Sequence, residues 1–210
     1  MKKPEEIWKA IWPTLLKHYK RTKTFLDYET NSQLLIAVIM SAQTTDEGVN
    51  KVTPNLWKKY PTPADLAKAN PRDVEKIIHA VGYYRAKTRY IIRTAQMILK
   101  DFKGVVPDDE KLLRTLPGVG RKTAVAVLTN AFNKNIGIPV DTHVIRFVKR
   151  FHLSKQTNPD IIERELLEII PQKNWRAAGY AIKQYGHTDG KARGWKPESD
   201  PVWNAYEKFR

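Results

Sequence analysis

A chain of 210 residues with 41% hydrophobic and 28% charged residues is long enough to bury a core, as one domain or two small lobes. Its 37 Lys and Arg against 22 Asp and Glu leave a formal charge of +15, which concentrates polyanions at its surface and points to nucleic acid or an acidic membrane face. The absence of cysteine excludes disulfides, thiolate metal sites and a cysteine nucleophile, and the 5 histidines form no HxxxH pair that would start a zinc cage.

Apolar residues recur at helical spacing over residues 7–19, 34–40, 74–81, 90–99, 124–132, 144–151 and 161–170, which predicts a helix at each. Start and stop signals agree with the pattern. Asn70-Pro71 offers a cap followed by a first-turn proline, and Asp141-Thr142 stands directly before HVIRFVKRF. Gly82 follows VEKIIHAV, and Gly104 follows TAQMILKDFK. No stretch shows sustained strand alternation, so the fold class is all-α. The apolar run at 34–40 is too short to span a bilayer, and MKKPEEIWKAIW meets two glutamates, so neither a membrane span nor a signal peptide is expected.

The stretch LPGVGRKTAVAVL looks like a phosphate loop but fails its register, because Arg121 intervenes between Gly120 and Lys122-Thr123. With the preceding PDDEKLLRT it reads instead as two helices joined by Leu116-Pro117-Gly118-Val119-Gly120. Gly118 and Gly120 can adopt backbone angles closed to other residues, and the turn's N–H groups could then meet a phosphate oxygen without reading a base. Taken alone, PGVG is better explained as a plain helix–helix turn. Lys122 falls away from the stripe Ala124, Val127, Leu128 and Ala131, as an ordinary solvated lysine would. Yet the helix dipole and Arg121 are both expected to lower its pKa, and a free amine is a nucleophile. Asp141 is a natural helix cap whose carboxylate could also stabilise a cation developing nearby.

LPGVGRKTA followed by VDTHV resembles the helix-hairpin-helix, Gly/Pro…Asp superfamily of DNA glycosylases, in particular its endonuclease III family. LLIAVIMSAQTTD and VGYYRAKTRYI are similar to further endonuclease III segments, and the likeness covers about residues 34–150. The resemblance implies a two-lobed helical fold with a DNA-binding cleft between the lobes. Residues 21–135 would form a helical barrel domain carrying the hairpin, and 1–20 plus 136–210 a second lobe. It implies that Lys122 is the Schiff-base nucleophile and Asp141 the catalytic aspartate of a bifunctional DNA glycosylase/AP lyase removing oxidised pyrimidines. Gln43 would fill the gap left by a flipped nucleotide, and Tyr83 would wedge into the opposite strand; helix-end and core-packing accounts compete for these two. Leu116, Gly118, Val119, Gly120, Arg121, Thr123 and His143 complete the expected DNA-binding set.

The expected partner is double-stranded DNA with damaged bases or abasic sites, bound by a monomer that is cytoplasmic, and nucleoid-associated, if prokaryotic. Rivals are a monofunctional or mismatch-directed glycosylase of the same superfamily and a non-catalytic hairpin DNA-binding protein. Members of the family commonly end in four cysteines that ligate a 4Fe–4S cluster, and this chain has none. No cofactor and no metal site are therefore expected; a monovalent cation at the hairpin is the one ion left open. Something else must then order the tail, and Trp203, Tyr206 and Phe209 at helical spacing are expected to dock on the N-terminal helix around Trp8, Ile11 and Trp12.

Overall fold

The computed structural model describes residues 2–210, and among these the chain forms helices and no strand. Two compact units emerge, one continuous (Thr24–Lys134) and one joining Met1–Lys23 to Asn135–Arg210.

The continuous unit is built on α2 (Asn31–Met40), which packs against α3 (Asp46–Lys59), α6 (Tyr84–Phe102) and α8 (Arg121–Ala131). Every residue of α2 from Gln33 to Met40 is buried, so it is a central helix, apolar nearly all round rather than on one stripe. Thr30 starts it by accepting a hydrogen bond from the Gln33 N–H at 3.2 Å. Short helices α4 (Pro63–Ala67) and α5 (Pro71–Ile78) cover α6, and α7 (Glu110–Leu113) packs on α8. Helix α3 is not visible in the apolar spacing, and it contains Gly48 and Pro54. A proline inside a helix removes one backbone bond, at about 3 kcal/mol. Here the freed carbonyl of Asn50 accepts instead from the Thr53 hydroxyl at 3.4 Å, and buried Val49, Val52 and Leu56 hold the helix in place.

The discontinuous unit packs α1 (Pro4–His18), α9 (Thr142–Arg150), α10 (Pro159–Ile169), α11 (Trp175–His187) and α12 (Pro201–Phe209) around Trp8, Ile11, Leu15, Phe147, Phe151, Leu166 and Tyr185. Helix α11 also escapes the sequence pattern, because Gly179 and Gly186 each weaken a helix by about 1 kcal/mol relative to alanine. Gly186 has a packing reason: a Cβ there would overlap the His143 imidazole.

The aromatic tail helix docks on α1. Val202 and Tyr206 are its buried anchors, while Trp203 and Phe209 are only partly buried. The loop before it is held by Asp200, 1% exposed. Its Oδ1 accepts from the N–H groups of Val202 (2.9 Å) and Trp203 (3.0 Å) and so caps α12. Its Oδ2 accepts from the Tyr185 hydroxyl (2.5 Å) and Trp195 Nε1 (2.8 Å). Arg150 lies 3.9 Å over the Trp195 ring and donates to the Tyr185 oxygen at 2.8 Å. Burial, then the bond to Asp200, pushes the Tyr185 phenol well above its ordinary range, so it stays a donor.

Candidate active site

Helix α8 begins at Arg121 behind Gly120, a cap residue with no side chain to accept from the first turn. The first N–H groups of a helix lack intrahelical partners, so those of Lys122 and Thr123 are left to solvent or a ligand. The Lys122 side chain is exposed and makes no hydrogen bond or ion pair among the described residues. Its neighbour differs: the Arg121 guanidinium pairs with Glu110 of α7, which also accepts from Arg114 at 3.3 Å, so this arginine ties the two helices of the hairpin together. Thr123 is half-buried.

The two turn glycines are not equivalent. Gly118 has φ +77°, and a Cβ there would lie 3.0 Å from the Tyr90 ring and 3.2 Å from Ile39 Cγ2. Gly120 has φ −91°, open to any residue, and a Cβ would meet nothing within 4 Å. Left-handed backbone freedom is thus needed only at Gly118. Gly118→Ala is expected to lower stability by about 1–3 kcal/mol, whereas Gly120→Ala should stay within roughly 0.5 kcal/mol of wild type; thermal melting of the two variants checks the difference. Leu116 and Val119 have buried side chains, and both amides are used inside the turn, Leu116 N–H to Leu113 and Val119 N–H to Leu116. Their contribution is to hold the hairpin's shape.

A second feature of this unit brings together two loops. Gln43, exposed just beyond α2, has φ +53°; Tyr83, at the start of α6 and 70% exposed, has φ +58°. Neither residue packs in the core. Left-handed backbone at a non-glycine residue costs about 1–2 kcal/mol, so both conformations must be imposed by their surroundings. Gly82 permits the approach: a Cβ on it would stand 3.3 Å from the Gln43 carbonyl and 3.4 Å from Thr44 Oγ1. Beneath them Lys87, 4% exposed, donates to the Ala42 carbonyl (2.5 Å) and to Thr44 Oγ1 (2.9 Å). Burial pushes its ammonium down to about 8. The signal that could have singled it out is positional: Lys87 occupies the buried stripe of Ile91, Ala95 and Ile98 on α6.

In the other unit Asp141 caps α9. Its Oδ1 accepts from the N–H groups of His143 (2.8 Å) and Val144 (3.0 Å), and Oδ2 has no hydrogen-bond partner among the described residues. The carboxylate is therefore fixed by one oxygen and open at the other. The His143 ring is half-buried, stacked on His187 with centroids 4.4 Å apart and 3.0 Å from the Arg146 guanidinium. Burial is the main force lowering its pKa, so near neutrality the ring is uncharged and accepts from Arg146.

A family model described as HhH-GPD superfamily base excision DNA repair protein matches residues 36–172. Endonuclease III of Synechocystis sp. is 44% identical over 179 residues, covering 85% of this chain and 82% of the relative. Endonuclease III of Rickettsia conorii is 38% identical, covering 93% and 91%. A solved structure of a trapped endonuclease III–DNA covalent intermediate, an estranged-adenine complex, superposes over 100% of both chains with a TM-score of 0.91 and 33% identity. These relatives correct the expectation that no cofactor is involved, because endonuclease III proteins normally carry a 4Fe–4S cluster. The residues present do not fit that group: the chain has no cysteine, and the described residues hold no group of three or more His, Asp or Glu that could bind a metal ion.

Proposed function

As a member of the HhH-GPD superfamily of base excision DNA repair proteins, and of its endonuclease III family, the chain is a DNA glycosylase of base excision repair, and we propose that it is bifunctional, removing oxidised pyrimidines through a Schiff base on Lys122 and then nicking the strand. The observation that carries this reading is Lys122 itself: an exposed amine without a counter-ion, in the first turn of a helix that no side chain caps at Gly120.

The damaged nucleotide is rotated out of the duplex, with Gln43 taking its place in the stack and Tyr83 unstacking the opposite strand. The Lys122 amine attacks the sugar C1′, and the bond from C1′ to the base breaks with its electron pair leaving on the base. The open carboxylate oxygen of Asp141 offsets the positive charge that grows on the sugar. Loss of the amine proton and opening of the sugar ring give an iminium. Removal of a C2′ proton then expels the 3′ phosphate, and water releases the enzyme. The N–H groups of Gly120, Lys122 and Thr123 hold backbone phosphate, a contact that positions DNA without reading sequence. On this reading the protein acts as a monomer on double-stranded DNA, in the cytoplasm and at the nucleoid if the cell is prokaryotic. No helix among the described residues is long and apolar enough to cross a membrane.

Borohydride reduction in the presence of a duplex carrying one oxidised pyrimidine or abasic site tests the proposal, because only an imine is trapped as a stable adduct. Absence of any adduct with either duplex would leave a monofunctional glycosylase, and absence of base release as well would leave a hairpin that binds DNA without chemistry. Asp141→Asn keeps the cap oxygen but removes the charge, and is expected to slow base release by about 10²-fold. An unchanged single-turnover rate would reduce Asp141 to a cap.

A further inference from the structure

Lys87 is a buried cation to which the chemistry above gives no task. No carboxylate pairs with it among the described residues, and a methionine could fill the same space without placing a charge in the core. Its bonds explain why it is there. The ammonium holds Ala42 on one side of Gln43 and Thr44 on the other, and so fixes the left-handed backbone between them. The N–H of the same residue bonds to the Tyr83 carbonyl at 3.1 Å, the first turn of α6, where the second left-handed residue sits. Gly82 closes the gap between the two loops.

We infer that Lys87 is a positioning residue that joins residues 42–44 and 82–83 into one rigid platform, so that Gln43 and Tyr83 meet the DNA together. The inference rests on the roles proposed above for those two side chains. Gap filling and wedging must occur at the same base step, and two independently moving loops would lose affinity to the entropy of ordering each of them on the DNA. A bridge made before binding removes that loss for the extruded state, the state that separates damaged from undamaged duplex.

The test compares wild type, Lys87→Met, Gln43→Ala and the double variant on two duplexes of equal length, one with an oxidised pyrimidine and one undamaged. The readouts are the ratio of affinities and the single-turnover cleavage rate at saturating enzyme. Lys87→Met is expected to lower the affinity ratio about tenfold, with cleavage at saturation within roughly twofold of wild type. In the double variant the loss should be smaller than the two single losses combined, because Lys87 acts in part through Gln43. Thr44→Val removes only one acceptor and should shift the ratio in the same direction, which keeps the test open if Lys87→Met does not fold. A wild-type ratio in Lys87→Met, or in Thr44→Val where it replaces that variant, overturns the inference. So do fully additive losses, and so does a saturating rate that falls as far as the affinity. If Gln43→Ala lowers the ratio and Lys87→Met does not, only the platform falls; if Gln43→Ala itself has no effect, the role proposed for Gln43 fails and the platform with it.

Discussion

Lys122→Ala is expected to abolish borohydride trapping and strand nicking on an abasic duplex while DNA affinity stays within about tenfold of wild type. The side chain is exposed and makes no bond within the described residues, so its loss leaves no buried group unpaired and the fold within roughly 0.5 kcal/mol of its original stability. The uncapped N–H groups at the start of α8 belong to the backbone and survive the change. One phosphate contact at most disappears, which would flatten the dependence of log affinity on log salt by about 0.9. Lys122→Arg sharpens the result, since arginine keeps the charge but forms no imine under these conditions. Undiminished trapping in either variant would move the nucleophile elsewhere.

The largest effect on stability is expected at Asp200. Asp200→Ala leaves the Tyr185 hydroxyl and Trp195 Nε1 facing an empty space inside the discontinuous unit and removes the cap of α12. Losing one partner of such a buried network costs about 3–5 kcal/mol, and a lost cap contributes about 1 kcal/mol of that. A domain of this size should then melt about 10 °C or more below wild type. Asp200→Asn keeps Oδ1 for the cap but turns an amide N–H toward two donors, so it should recover only part of the loss. Tryptophan fluorescence during thermal unfolding is a suitable probe, because Trp195 and Trp203 pack edge to face at 5.1 Å beside this carboxylate. Melting at the wild-type temperature would show that α12 stays docked without the hub.

The helices that carry the candidate chemistry were legible because local signals coincide there. In α8 and α9 an apolar period, a starting cap and a preceding turn agree, and Gly118 occupies the position where the turn needs a left-handed residue. The helices that were missed depend on distant partners. Helix α3 tolerates Pro54 because Thr53 replaces the lost donor, and α11 tolerates Gly186 because His143 occupies the space a side chain would need. Propensity is local, and tertiary packing overrode it in both. Asp200 reads as one more charge in a polar tail; its four hydrogen bonds come from residues up to fifteen positions away. Lys87 was hidden by its neighbours, since Arg85 and Arg89 make the segment look like a solvated basic face. Its place on the stripe of Ile91 and Ala95 was the clue, and only its burial gives that clue meaning.

The docking of α12 on α1 has a consequence for how the protein is made. Ile7, Trp8, Ile11 and Leu15 of α1 leave the ribosome long before the helix that packs on them, which begins only at Pro201. At about 5–20 residues per second, that apolar face waits on the order of 10–40 s for its cover. Residues 24–134, contiguous in sequence, have all their own core in hand before α12 is made. The nascent chain thus carries a folded stretch behind a greasy, still uncovered α1. It is at this stage, rather than in the finished protein, that a chaperone has a surface to hold.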